Sequence, residues 1–194
     1  LNAWAIDIML PALDRIAADF AVTDPNDRQL VVVAYVLGFG APQLVYGPLS
    51  DRIGRKPVTL LSLLGYTLAG IACAFAGSFH MLLALRFAQG LFAAGCRVTA
   101  IAVVRDVYEG RGMARIMSLV MTVFMVVPIV APALGQAVLL VAPWEWCFHV
   151  LGIAGAGLFL WVAFRLGETH PPDKRSPISL GGTLRAYGAV FRNP

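Results

Sequence analysis

The chain has 194 residues, of which 59% are hydrophobic and only 13% charged, and it carries a formal net charge of +4. A soluble domain carries about 25% charged residues, so a mean hydropathy of +0.76 excludes an ordinary water-soluble globule and points to an all-α protein that crosses a bilayer several times. The cations flank apolar runs instead of sharing one wetted face, which excludes a nucleic-acid surface as the use of the positive charge.

Taken in chain order, the apolar runs predict six membrane-spanning helices. The first, about 1–13, is too short to cross ~30 Å of hydrocarbon at ~1.5 Å per residue. It begins at Leu1 without methionine or a basic flank, so it reads as the inside of a helix and not as a signal peptide. On this reading the chain is a fragment. The stretch from Asp14 to Arg28 is the longest polar loop in the hydrophobic part, and Asp24 with Pro25 suits the N-cap and first position of a second helix over 27–49. The remaining spans are expected at 58–77, 81–104, 113–140 and 145–166. Beyond residue 167 the chain turns polar, with Pro171, Pro172, Pro177, Gly181 and Gly182 and no further span. Residues 1–167 are therefore expected to form a six-helix transmembrane domain, and 168–194 a linker.

The link from Gly47 to Pro57 is short and cationic, and such links lie on the cytoplasmic side of the membrane. Its glycines allow a sharp reversal, and Pro57 suits the first turn of the third helix. The distribution of the other cations agrees. Loops expected inside carry Arg52, Arg55, Lys56, Arg105, Arg111, Arg115, Arg165, Lys174, Arg175, Arg185 and Arg192, whereas the outer loops carry only Arg15 and Arg28. Both ends are thus expected to be cytoplasmic.

Charges within spans are expensive and mark functional candidates. Asp7 lies in the first span. Arg86 and Arg97 lie in the fourth, within ~20° of one helix face and ~16 Å apart along it. That shared face should line a cavity or the bundle interior. Tyr35 and Gln43, with Asn2, Trp4 and Tyr46, are the other polar or amphipathic side chains expected to reach a central cavity. In the fifth span Met113, Met117, Met121 and Met125 recur every four residues. Such a stripe more often packs helices than binds ligands, and Met121 is the one singled out as a cavity residue. Pro128 and Pro132 each remove a helical hydrogen bond and should bend that helix near Gly135. Arg105 and Asp106 close the fourth span beside the Gly47–Pro57 link, either as exchange partners for Asp51 and Arg55 or as a solvated cluster. Cys73, Cys96 and Cys147 fall in apolar runs as small buried hydrophobes. No nucleotide-binding loop, metal-ligand spacing or nucleophile–base set stands out, so neither an enzyme nor a bound cofactor is expected.

Several of these patterns carry a resemblance. Gly47, Asp51, Arg52, Gly54, Arg55 and Lys56 match, position for position, the loop between the second and third helices of major facilitator superfamily transporters. Asp7 to Leu13 resembles the D-x-x-L-P-x-L signature of the first helix in drug:proton antiporters, especially the bicyclomycin/chloramphenicol-resistance (Bcr/CflA) branch. Arg86 to Gly90 resembles the R-F-x-Q-G motif of the fourth helix in proton-driven exporters. Pro128 to Gly135 matches the fifth-helix antiporter motif in part, with Ala131 where glycine usually precedes the second proline. Arg97 departs from the branch pattern, either to meet an anionic substrate group or to snorkel as a structural residue. The resemblance implies the six-helix amino-terminal half of a transporter in a bacterial inner membrane. It would export small lipophilic drugs or metabolites against protons, with Asp7 and Arg86 in proton coupling and no cofactor beyond the proton gradient. Its partners would be its substrate, protons, lipid and its own carboxyl-terminal half. A major facilitator importer or exporter of organic anions or sugars is the alternative, with Arg97 as its best support.

Overall fold

Inside a bilayer the backbone must satisfy its own polar groups, which leaves sequences this apolar little choice but helix. The computed structural model of the chain describes residues 1–24, 26–171 and 173, so Pro25 and most of the expected linker lie outside the described residues. Among the described residues the secondary structure is all helical. The helices are α1 (Asn2–Asp7), α2 (Leu13–Asp19), α3 (Leu30–Gly40), α4 (Gln43–Ile53), α5 (Arg55–Cys73), α6 (Phe79–Val107), α7 (Gly110–Val141) and α8 (Glu145–Arg165), with 3-10 turns at Leu10–Ala12 and Asp27–Gln29. By length and composition α5, α6, α7 and α8 could each cross a membrane, and Asp27–Gly40 with Gln43–Ile53 could form a fifth span bent by 45°.

Three segments differ from the sequence expectation. The first is helical beyond Leu13, because Ile16 is buried and polar groups tie α2 down. Arg15 Nη1 donates to the Leu139 carbonyl at 2.8 Å, Trp144 Nε1 donates to Asp19, and Arg28 pairs with Asp14. The second span is broken at Ala41–Pro42, and there Gln43 Nε2 donates to the Phe39 carbonyl at 3.2 Å. In a straight helix that carbonyl would take the Gln43 backbone N–H, so the side chain patches the break. The third correction concerns the Gly47–Pro57 link, most of which is helix. Residues 47–53 belong to α4 with Pro48 inside it, and Gly54 alone separates α4 from α5. Gly54 has φ +112°, a backbone state that side-chain-bearing residues rarely adopt. In α7, by contrast, Pro128 and Pro132 are accommodated within one continuous helix.

The core forms where α6 packs between α3 and α5, with α8 against α5. Tyr35, Tyr66, Leu82, Phe148 and Leu151 fill it. Close approach of α3 and α6 depends on two glycines. A Cβ on Gly90 would collide with the Tyr35 carbonyl, and one on Gly38 with the Phe87 carbonyl. Small residues at such crossings let backbones pack without a bulge. Gly90→Ala in the full-length protein is therefore expected to destabilise it by ~1–3 kcal/mol, whereas Gly40→Ala, where a Cβ meets open space, should be nearly neutral. Thermal unfolding in detergent distinguishes them, and equal melting temperatures would refute the close-approach account.

Candidate functional site

Pro11 creates the first element of the site. It has no N–H to return to the carbonyl of Asp7, four residues earlier, and the helix breaks there. Met9 then turns its N–H to the Ile6 carbonyl at 3.3 Å, so the Ala5 carbonyl loses its usual i+4 donor. Arg86 of α6 supplies the replacement, with Nη2 2.9 Å from Ala5 O.

Arg86 is fully buried, and each of its three guanidinium nitrogens donates a hydrogen bond. Nε donates to the Val31 carbonyl at 3.2 Å and Nη1 to Gln89 Oε1 at 2.8 Å. The guanidinium carbon lies 4.6 Å from the Tyr35 ring centroid and 5.7 Å from that of Phe148. A cation taken from water needs such charge-assisted hydrogen bonds and ring faces to offset its desolvation. One side chain thereby ties α1, α3 and α6 together. The neighbouring motif residues serve it. Gln89 positions the guanidinium, Gly70 leaves room for the Gln89 amide, whose Nε2 would lie 2.7 Å from a Cβ there, and Gly90 admits α3.

Asp7 is half-buried at the end of α1. Among the described residues it makes no hydrogen bond or ion pair, and Arg86 bonds the carbonyl two residues away in place of the Asp7 carboxylate. Arg86 thus meets the α1 backbone two residues from Asp7. No direct ion pair joins the two side chains.

The two fourth-span arginines share a helix face yet have different surroundings. Arg97 is exposed on the wall of a cavity of about 400 Å³, together with Asn2, Met117, Met121, Phe124 and Val162. Its guanidinium carbon lies 5.8 Å from the Phe39 ring centroid and 5.9 Å from that of Phe124. Of the side chains expected in a cavity, Asn2, Arg97 and Met121 line this one. Tyr35 does not; it is fully buried, stacked on Phe39 at 6.4 Å and donating to Asn2 Oδ1 at 3.3 Å. Gln43 is occupied at the α3–α4 break.

A second cluster lies where α4, α5 and α6 end. Arg55, its side chain 9% exposed, bridges two carboxylates, with Nη1 2.6 Å from Asp51 Oδ1 and Nε 3.0 Å from Asp106 Oδ2. Nη1 also donates to Ser50 Oγ at 2.5 Å. Glu168, read from sequence only as the start of a linker, accepts the Arg55 backbone N–H at 2.9 Å. It thus satisfies one of the free donors at the start of α5. Thr169 adds a hydrogen bond to Asp106 Oδ2 at 3.2 Å. Neither Glu168 nor Thr169 stood out in the sequence, and the one available signal was an acid directly after the last apolar run. Arg52 and Arg105 are exposed and Lys56 half-buried, and among the described residues none of the three makes an ion pair.

Comparison with known proteins places this arrangement. The chain is 38% identical over 195 residues to the "Uncharacterized MFS-type transporter YdgK" of Bacillus subtilis, covering all of this chain and 48% of that protein. It is 35% identical over 166 residues to the "Multidrug resistance protein MdtL" of Escherichia coli, covering 86% of this chain and 42% of that one. The chain therefore spans about half the length of these relatives. Its fold is similar to that of the human organic anion transporter MFSD10, with a TM-score of 0.73 at 22% identity over 98% of this chain and 53% of that one. The family pattern of the Major Facilitator Superfamily extends over residues 1–194, and a match along the whole chain leads to one conclusion: this multi-pass membrane protein belongs to the Major Facilitator Superfamily.

Proposed function

We propose that this chain is the amino-terminal half of a proton-coupled antiporter of the bicyclomycin/chloramphenicol-resistance branch, exporting small lipophilic drugs or metabolites across a bacterial inner membrane. In this reading residues 1–167 provide six spans, with the broken α1–α2 segment as the first, the bent α3–α4 pair as the second and α5 to α8 as the rest. Residues 168–194 form the cytoplasmic linker to a second repeat, and alternating access comes from rocking one repeat against the other. Energy comes from the proton gradient, without a cofactor.

The observation that carries the proposal is Asp7. Among the described residues it is an acid without a partner at a helix break, two residues from the carbonyl that Arg86 grips. A carboxyl group in that position can exchange a proton with water on one side at a time, and any shift of α1 must rearrange the Arg86 contacts. Proton binding and helix movement are thereby linked. The Arg55 cluster supports a gate at the other end, with Gly47, Asp51, Arg52, Gly54, Lys56, Arg105 and Asp106 around it. The adaptable methionines of α7 suit chemically varied ligands, and the multidrug-resistance name borne by a relative 35% identical supports the same substrate range.

Dye efflux from cells expressing the full-length protein tests this. Asp7→Asn is expected to abolish uphill efflux of a cationic dye while its abundance in the membrane stays unchanged. An Asp7→Asn variant that still pumps against the gradient would show that Asp7 is not the proton carrier.

A further inference from the structure

Arg97 stands in contrast to Arg86. On the same helix, Arg86 spends its donors on carbonyls and Gln89, whereas Arg97 makes no hydrogen bond or ion pair among the described residues. It lies eight residues before Arg105, ~12 Å along α6, so it does not sit with the charged cluster at that helix end. The carboxylates there, Asp51 and Asp106, already share Arg55. Arg97 is also the one charged side chain on this mainly apolar wall, where Asn2 and Thr59 are polar neighbours. A lone cation inside a membrane protein is costly, and here nothing among the described residues neutralises it. Two phenyl rings from different helices, Phe39 on α3 and Phe124 on α7, have their centroids within 5.9 Å of its guanidinium carbon. They steady the guanidinium through their faces and leave its donor edge for a ligand.

Building on the exporter reading above, we infer that Arg97, Phe39 and Phe124 form a binding site for the anionic group of a lipophilic organic acid. A carboxylate or sulfonate accepts two parallel N–H bonds from the guanidinium. An aromatic body rests on the phenyl rings and on Met117 and Met121. A lipophilic cation gains the same apolar wall but meets repulsion, and a neutral compound gains the wall alone. The site depends on this three-residue cluster and not on the full extent of the cavity, which Leu1 to Ala3 also line.

The test is equilibrium binding of radiolabelled 2-naphthoate and its neutral isostere 2-naphthamide to the purified full-length transporter. Wild type is expected to prefer the naphthoate by about tenfold or more, as the loss of a charge-assisted pair implies. Arg97→Gln should remove that preference by weakening naphthoate binding and leaving naphthamide binding unchanged, and Arg97→Lys should restore part of it. Absence of a preference in wild type, or an equal preference in Arg97→Gln, overturns the site. Unchanged naphthamide binding reports that the variant is folded. Uphill efflux of a cationic dye is measured in cells expressing the same proteins. Efflux that depends on Asp7 without any charge preference sinks this inference alone, whereas a charge preference without proton-driven efflux sinks the exporter reading alone.

Discussion

Arg86→Met in the full-length protein is expected to lower stability by at least ~3 kcal/mol and to abolish transport. The side chain has no exposed surface, and its removal leaves the Ala5 carbonyl and Gln89 Oε1 without their donor and takes the extra bond from the Val31 carbonyl, which keeps its partner within α3. Each buried acceptor stranded in this way costs about 1–3 kcal/mol. Relief of the guanidinium's own desolvation offsets part of that sum, which is why the expectation is nearer the bottom of the range than the top. Arg86→Lys should fail almost as badly, because an ammonium lacks the planar fork that reaches three acceptors at once. Arg97→Ala should leave thermal unfolding nearly unchanged, since no hydrogen bond is lost among the described residues. Unfolding temperatures in detergent and growth on an inhibitory compound decide the ranking. If Arg86→Met is as stable and as active as wild type, the staple described here does not hold α1 to α6.

Arg55→Ala is expected to release the ends of α4 and α6 and to cost ~2–3 kcal/mol, well above a surface ion pair. Two carboxylates now separated by a guanidinium would face each other across the space it vacates, and Ser50 Oγ would lose its donor. The Asp51 side chain is 47% exposed, so water would screen part of the repulsion and keep the penalty below that of a fully buried pair. Arg105→Ala provides the control, because Arg105 is exposed and makes no ion pair among the described residues. Limited trypsin digestion gives the readout. Faster cleavage after Arg52 in Arg55→Ala, but not in Arg105→Ala, is the expected pattern. Equal protection in both variants would mean that Arg55 does not lock this end of the bundle.

Much of the helical layout was legible from apolar run length alone. The expected spans 58–77, 81–104, 113–140 and 145–166 correspond to Arg55–Cys73, Phe79–Val107, Gly110–Val141 and Glu145–Arg165. The helices α4, α6 and α7 run past the apolar stretches because an intrahelical hydrogen bond does not require an apolar side chain. The same reason explains why the Gly47–Pro57 link is mostly helix, and why α2 continues through Asp14 and Arg15. Polar composition signals where water begins, not where a helix stops.

The sequence by itself determined the class, the motif positions and the placement of charges within apolar segments, because hydropathy and spacing are properties of the chain. It could not assign different environments to Arg86 and Arg97, which fall on one helix face. That difference arises from what approaches α6 from elsewhere. The Pro11 break presents the Ala5 carbonyl, α3 brings Val31 and Tyr35, and α8 brings Phe148, all to Arg86. Glu168 likewise reaches Arg55 across 113 residues of sequence. Burial and hydrogen-bond partnership at long range exist only once the helices have packed, and so the tertiary structure alone decided which arginine is a staple and which makes no hydrogen bond or ion pair among the described residues.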